Sequence, residues 1–168
     1  EPFTPEEGFE SLFNGRDLTG WGYRPTSEAD RASAKRWQAS DPNAAAWPFV
    51  EQPVTFDGLT STPDGRFAVV GGRLVVKTPP EHRKIQQLWT TREFPKNFTL
   101  KLEFRAAENA DSGIFIRRPQ LQCRDYLVAG PDKYKQLKKY RAQDWNEVEI
   151  VVKDGVARCT CNGEILEE

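Results

Sequence analysis

The chain has 168 residues, of which 38% are hydrophobic, and carries 24 Lys and Arg against 25 Asp and Glu. This length is enough for one domain with a substantial core. The near-zero net charge excludes the basic surface on which nucleic-acid binding usually depends, and no apolar run approaches the roughly 20 residues of a membrane-spanning helix. Because the chain starts at Glu1 and contains no methionine, we expect that a signal peptide, tag, propeptide or upstream domain has been removed.

The N-terminal part gives weak signals for regular structure. Short apolar segments between Phe9 and Trp21 are interrupted by glycines, and residues 24–66 are polar and loop-like. Within that stretch, Glu28 to Gln38 is rich in Ala, Lys, Arg and Glu, which predicts a short helix. The remainder is predicted to be a long irregular insertion, and such insertions in compact domains are often functional.

From Arg66 onward the pattern predicts strands separated by tight turns. Gly71-Gly72, Asp154-Gly155 and Asn162-Gly163 are typical of two-residue hairpin turns. The clearest strand, Phe98 to Arg105, alternates apolar with polar residues. The predicted strands are 67–70, 73–77, 86–91, 98–105, 113–117, 121–126, 145–153, 156–161 and 164–166, with a Lys-rich loop or one helical turn at 131–140.

Many short strands, Gly-rich turns and little helix predict an all-β protein. We expect an antiparallel β-sandwich or jelly roll, formed by residues 1–168 as a single domain. The sequence contains no Gly-rich phosphate loop, Ser-His-Asp set, zinc motif or EF-hand pattern. No cofactor is therefore predicted.

Three groups of residues, in order along the chain, resemble one known family. Phe9-Glu-Ser-Leu-Phe-Asn-Gly-Arg-Asp-Leu-Thr-Gly-Trp21 resembles the opening signature of the 3-keto-disaccharide hydrolase domain family. Phe98 to Arg105, followed by Asp111-Ser-Gly-Ile-Phe-Ile-Arg117, looks like the central strands of that family. Asp144-Trp-Asn-Glu147, the strand after it and Cys161-Asn-Gly163 look like its late meander.

The resemblance implies a jelly roll similar to concanavalin A-like and laminin-G-like sandwiches. It also implies an exported bacterial protein, periplasmic or extracellular, that is often attached to a larger multidomain protein. The implied activity is cleavage of glycosides oxidised to a ketone at sugar carbon 3, so the expected partner is a carbohydrate or an oxidised disaccharide. Because one fold hosts many activities, a non-catalytic sugar-binding module and a structural or adhesion domain stay open as alternatives.

The chain departs from the family pattern at three places. Asp111-Ser112-Gly113 stands where the family often has Asn-Ser-Gly, and Gln120-Leu-Gln122 with Asp125 stands where it often has Glu-x-Gln and a later Asp. An amide does not titrate, so Gln120 cannot replace a catalytic Glu. Either Asp111 or Asp125 supplies the carboxylate, or binding alone remains. Relatives usually continue past the Asn-Gly turn, so we expect the last strand or strands of the family to be lacking after Glu168.

A ketone at sugar carbon 3 makes the hydrogen on carbon 2 acidic, so a base can remove it and the resulting enolate can expel the anomeric oxygen. Such a site needs a base, a cation or donors at the enolate oxygen, and hydrogen bonds for sugar hydroxyls. The catalytic candidates are Asp111 or Asp125 as the base and Arg117 as the stabiliser of the enolate. The alternatives are a turn role for Asp111 and a cross-strand ion pair for Arg117.

Four further side chains are candidates for substrate binding. Arg105 lies on the polar face of its strand, and Gln120 and Gln122 share one strand face where each amide can donate and accept. Trp145 can stack on the apolar side of a sugar ring. The alternatives are an ion pair for Arg105 and packing in the core or against a hairpin for Trp145.

The sequence gives little support for a metal site. Cys123, Cys159 and Cys161 are too few for a disulfide scaffold, and the only histidine, His82, stands in a distant loop. Buried thiols or a single disulfide are therefore favoured over zinc. Sandwiches of this type sometimes hold calcium through loop carboxylates and carbonyls, but no residues are assigned to calcium.

Overall fold

The computed structural model describes residues 3–77 and 84–168, and the chain divides into two compact units, Glu1–Glu93 and Phe94–Glu168. His82 lies outside the described residues. Within the described ranges, the strands pair in antiparallel sheets and there is a single α-helix. This confirms the all-β class, whereas the jelly-roll connectivity stays a prediction. The regular elements in chain order are β1 (Trp21–Tyr23), α1 (Glu28–Ser40), β2 (Val54–Thr55), β3 (Phe67–Val70), β4 (Arg73–Val76), β5 (Trp89–Thr90), β6 (Phe98–Phe104), β7 (Ser112–Phe115), β8 (Gln120–Cys123), a 3-10 helix (Asp132–Gln136), β9 (Asn146–Lys153), β10 (Val156–Cys161) and β11 (Glu164–Glu167).

The first unit contains a three-stranded sheet in the order β2-β1-β5 and the separate hairpin β3-β4. At the centre of the sheet, a Cβ on Gly22 would lie 2.1 Å from the carbonyl oxygen of Val54, so only glycine allows β1 and β2 to approach this closely. The core of this unit is formed by buried side chains of Leu18, Tyr23, Phe56 and Phe67.

The helix predicted at Glu28 to Gln38 is confirmed and continues to Ser40. Its N-terminus is capped by the Ser27 hydroxyl, which accepts a hydrogen bond of 3.1 Å from the backbone N–H of Asp30. Ala34 is the buried residue of the helix, and Arg31 joins the helix to the neighbouring chain through hydrogen bonds to the carbonyl of Thr26 at 3.2 Å and to Glu51 at 3.1 Å. None of the helices in the described part of the chain is both long and apolar enough to cross a membrane.

The second unit is built on a four-stranded sheet in the order β11-β10-β9-β6. The alternation predicted for β6 is confirmed: Leu100 faces Ile150 and Leu102 faces Val148 in the register with β9. These side chains belong to one hydrophobic cluster and define the inner face of the sheet. The intervening polar positions therefore form its outer face.

The hairpin β7-β8 and the 3-10 helix cover the inner face. Ile114 and Leu121 from the hairpin, together with Tyr126 and Tyr134, belong to the same hydrophobic cluster as the sheet. The second unit is therefore a two-layer structure with the hairpin and loops on one side of the core and the sheet on the other.

Among the predicted strands, the segment 86–91 is the one that the structure shortens most. Only Trp89–Thr90 forms a strand, because its register with β1 pairs Trp21 with Thr90 and Gly22 with Trp89 and extends no further. A strand is assigned only where a partner accepts its backbone hydrogen bonds, and this partner is not visible in the sequence of the segment itself.

Candidate functional site

Apart from Ser112 and Phe115, the hairpin β7-β8 carries apolar side chains on one side and polar side chains on the other. Its register pairs Ser112 with Cys123 and Ile114 with Leu121, and Leu121 and Cys123 are buried. Because successive side chains of a strand point to opposite faces, the residues between them face away from the core. We call this polar surface the hairpin face; it comprises Asp111, Gly113, Phe115, Gln120, Gln122 and Arg124.

Asp111 and Arg124 continue the strand register by one step beyond the Ser112–Cys123 pair. Oδ1 of Asp111 lies 3.8 Å from Nη1 of Arg124, with 40% and 32% of the respective side chains exposed. Nε of Arg124 is buried without a hydrogen-bond partner among the described residues. The end of the hairpin face therefore combines an accessible carboxylate with a guanidinium whose donors are not all used.

Gln120 and Gln122 lie side by side on the hairpin face. Nε2 of Gln122 donates a hydrogen bond of 3.4 Å to Oε1 of Gln120. Space for the Gln120 amide exists because Gly113 has no side chain: a Cβ there would lie 2.2 Å from Nε2 of Gln120. This bond uses neither the oxygen of Gln122 nor the nitrogen of Gln120, which gives this surface both an acceptor and a donor.

Asp125 is only 1% exposed and organises the loops around it. Its carboxylate accepts hydrogen bonds from the backbone N–H of Leu127 at 3.2 Å, the hydroxyl of Tyr140 at 3.3 Å and Nε2 of Gln143 at 3.4 Å. Burial, with a further contribution from the nearby Asp125 carboxylate, raises the pKa of Tyr140 to about 12. The Asp125 side chain therefore binds the loops that carry Leu127, Tyr140 and Gln143 and does not belong to the hairpin face.

Arg117 connects two backbone segments. Its Nη2 donates hydrogen bonds of 2.8 Å to the carbonyl oxygens of Phe94 and Lys96, and its guanidinium carbon lies 5.8 Å from the centre of the Phe98 ring. The backbone at Arg117 has a φ of 62°, a conformation that is uncommon for a non-glycine residue. These contacts hold the turn after β7 against the segment before β6.

Arg105 and Trp145 lie together on the outer face of the sheet. The guanidinium carbon of Arg105 is 5.1 Å from the centre of the Trp145 ring. The hairpin packs on the inner face of the same sheet, so the hydrophobic core separates this pair from the hairpin face. The structure thus places the predicted site residues in groups: Asp111, Gln120 and Gln122 share the hairpin face, Arg105 and Trp145 share the outer face of the sheet, and Arg117 and Asp125 bind backbone and loops.

Arg124 was missed by the sequence analysis, although a signal for it existed. Positions 120, 122 and 124 alternate, so Arg124 continues the face of Gln120 and Gln122. β8 ends at Cys123, and the pairing that brings Arg124 opposite Asp111 depends on the register with β7, which this segment alone does not show.

No group of three or more His, Cys, Asp or Glu side chains within residues 3–77 and 84–168 is arranged to hold a metal ion. The three cysteines are free and buried. Burial raises the pKa of Cys123 to about 12 and that of Cys161 to about 11, which disfavours the thiolate that metal binding and nucleophilic attack require.

A family model described as a 3-keto-alpha-glucoside-1,2-lyase-like domain matches residues 8–168. The chain belongs to this family. The match spans all three groups of motifs singled out in the sequence, and it supports a carbohydrate-related activity for this lyase-like domain. Searches of curated proteins and of solved structures find no match.

Proposed function

We propose that this protein cleaves the glycosidic bond of glucosides that carry a ketone at carbon 3, and that the hairpin face is the surface where it does so. The observation that carries the proposal is the match to the 3-keto-alpha-glucoside-1,2-lyase-like family over residues 8–168. Export to the periplasm or the extracellular space, which the motif resemblance implies, is part of the same proposal.

The proposed reaction is an elimination across carbons 1 and 2 of the sugar. A base removes the proton from carbon 2, the electron pair of that C–H bond passes through the enolate, and a double bond forms between carbons 1 and 2. The bond between carbon 1 and the glycosidic oxygen breaks, and the departing oxygen takes a proton from water. The protonated base then gives its proton to the hydroxide that remains, which restores both the base and the water. The products are an alcohol and an enone, so no oxidant, reductant or metal enters the balance.

On the hairpin face, Asp111 is the side chain that can act as the base. It is accessible, and a carboxylate in this role typically contributes 10²–10⁴-fold. Arg124 lies next to it and is positioned to stabilise the negative charge that develops on the enolate oxygen. Gln120 and Gln122 supply an amide donor and an amide acceptor for sugar hydroxyls.

A second candidate function is sugar binding without catalysis. Asp111 is the carboxylate of the hairpin face, since Gln120 and Gln122 are amides and Asp125 is buried. An enzyme of this kind would have to rely on water for protonation of the leaving group. A hairpin face with one carboxylate instead of two therefore favours binding without catalysis.

The test is turnover of 3-keto-trehalose or of an aryl 3-keto-α-glucoside by the wild-type chain, Asp111→Asn and Glu108→Gln. The control removes an exposed carboxylate from the same loop without touching the hairpin face. We expect the control to match wild type and Asp111→Asn to lose at least about 100-fold in kcat. Wild type should form an enone product and, in heavy water, should exchange the carbon 2 proton of substrate that has not yet reacted. Binding of the keto sugar without turnover by wild type would establish the second function, and neither binding nor turnover would refute both.

A further inference from the structure

A groove of about 540 Å³ lies on the outer face of the second unit's sheet, at the end where β6 finishes and β9 begins. It is on the side of the sheet opposite to the hairpin face. Both walls and floor are polar or charged, apart from one indole ring. The lining side chains are Glu103, Lys139, Arg141, Trp145, Glu147 and Asn162.

The floor of the groove holds two carboxylates on adjacent strands. Glu103 and Glu147 are direct cross-strand partners, and such partners have Cβ atoms about 4.5–5.5 Å apart, where like charges are destabilising. One rung along the same strands, Lys101 and Glu149 form an ordinary ion pair of 3.7 Å. Among the residues that the structure describes, neither Glu103 nor Glu147 has an ion-pair partner.

The wall of the groove is held in place by asparagine side chains. Nδ2 of Asn162 donates to the carbonyl of Lys139 at 2.8 Å and to Oδ1 of Asn146 at 2.9 Å. Asn146 in turn hydrogen-bonds both the N–H and the C=O of Arg141 at 2.8 Å. The loop that carries the two cations is therefore fixed before any ligand arrives.

Glu164 holds the same loop from the other side. Its carboxylate accepts hydrogen bonds from the backbone N–H groups of Lys138 at 3.0 Å and Lys139 at 2.8 Å, and these bonds lower its pKa. Glu164 thus binds the backbone of Lys138 and Lys139, and Lys139 is one of the residues that line the groove.

We propose that this groove is a second carbohydrate-binding site, which takes an uncharged sugar ring. Its two carboxylates and two cations have no net charge, so a charged ligand gains no overall attraction and meets two like charges. Hydroxyl groups both donate and accept, so a sugar can donate to Glu103 and Glu147 and accept from Lys139 and Arg141. Trp145 supplies the apolar wall that a pyranose ring needs.

The consequence is a domain that contacts carbohydrate on two opposite sides of its second unit. The hairpin face is the proposed site of reaction, and the groove holds a sugar that does not react. The groove does not require the proposed elimination, so the two proposals stand or fall separately.

The test is an NMR titration of the isotopically labelled full chain with unoxidised trehalose, maltose and cellobiose. We expect at least one of these sugars to shift the backbone amides of residues 103, 139–147 and 162 in wild type. The double variant Glu103→Gln/Glu147→Gln and the variant Trp145→Ala should each weaken this binding about tenfold or more. Glu149→Gln on the neighbouring rung and Gln122→Ala on the hairpin face should leave it unchanged.

Several results would overturn the proposal. These are no shifts around the groove with any of the three sugars, shifts confined to residues 113 and 120–124, and equal affinity of wild type and the double Gln variant. If Trp145→Ala fails to fold, the double variant decides alone, because Glu→Gln keeps the size of both side chains and removes a like-charge pair. Since no keto sugar is used, the titration tests the groove even if the protein proves to have no lyase activity.

Discussion

Replacing Asn146 by Ala removes one of the side chains that join the loop 139–145 to the sheet. Asn146 is fully buried, and its side chain makes four hydrogen bonds: two with the backbone of Arg141 at 2.8 Å, one to the carbonyl of Asp144 at 3.0 Å and one from Asn162 at 2.9 Å. The Ala variant loses all four and leaves their partners without the amide that satisfied them.

The expected cost follows from this inventory. A typical intramolecular hydrogen bond contributes about 0.5–1.5 kcal/mol net, so four bonds give about 2–6 kcal/mol. Arg141 and Asp144 are exposed residues, so water can partly replace the lost amide, which places the expected loss near 3 kcal/mol. For a chain of this size that corresponds to about 6–12 °C in Tm.

The assay is equilibrium unfolding in urea, followed by tryptophan fluorescence and by far-ultraviolet circular dichroism. Asn97→Ala is the matched control, because Asn97 is exposed and makes two hydrogen bonds with Asp154, of 2.9 and 3.3 Å, at the opposite end of the same sheet. We expect the control to cost less than about 1 kcal/mol. Equal free energies of unfolding for the two variants would refute the argument that the buried amide holds the loop.

Three further outcomes are expected. Gly113→Ala should abolish sugar binding at the hairpin face with little loss of stability, because the new Cβ collides with the Gln120 side chain from Cγ to Nε2 and not with backbone; unchanged binding would contradict this. The hydrogen bond from Lys133 holds the pKa of Glu167 below its ordinary value. The ionised Glu167 side chain therefore stabilises the fold fully at pH values above the ordinary Glu pKa, and this stabilisation is lost as the pH falls through the lowered pKa of Glu167. The stability difference between wild type and Glu167→Gln, about 0.5–1 kcal/mol near neutral pH, should therefore close below about pH 4, and a difference that widens in acid would count against it. Burial raises the pKa of Cys161 to about 11, so iodoacetamide should label the thiols only in denaturant, whereas rapid labelling of native protein would show that the core opens.

The meander of the second unit was predictable because its information is local. The alternation in β6 and β9 and the turns at Asp154-Gly155 and Asn162-Gly163 each lie within a few residues of sequence, and the structure places strands β9, β10 and β11 around those turns. Asp154 and Asn162 have φ values of 51° and 49°, as the predicted turns require.

The sites were predicted less well because they depend on pairing between distant strands. Glu103 and Glu147 become neighbours only when β6 pairs with β9 in one register, and a shift of one residue would separate them. Arg105 and Gln122 each satisfy the same local rule for a polar strand position, yet they lie on opposite sides of the core. The sequence shows which side chains point away from the core, but not whether the four-stranded sheet or the hairpin carries them.

The Asn162-Gly163 turn also affects how long the purified protein keeps its covalent structure. Asn-Gly sequences are prone to spontaneous deamidation, because glycine barely hinders attack of its backbone nitrogen on the side-chain amide. The Asn162 amide nitrogen donates to the Lys139 carbonyl and to Oδ1 of Asn146, so deamidation would replace a donor by a negatively charged oxygen facing two acceptors. Slow deamidation of Asn162 would therefore release the loop 139–145. A mass increase in the peptide that contains Asn162 should accompany any loss of binding in the groove during storage.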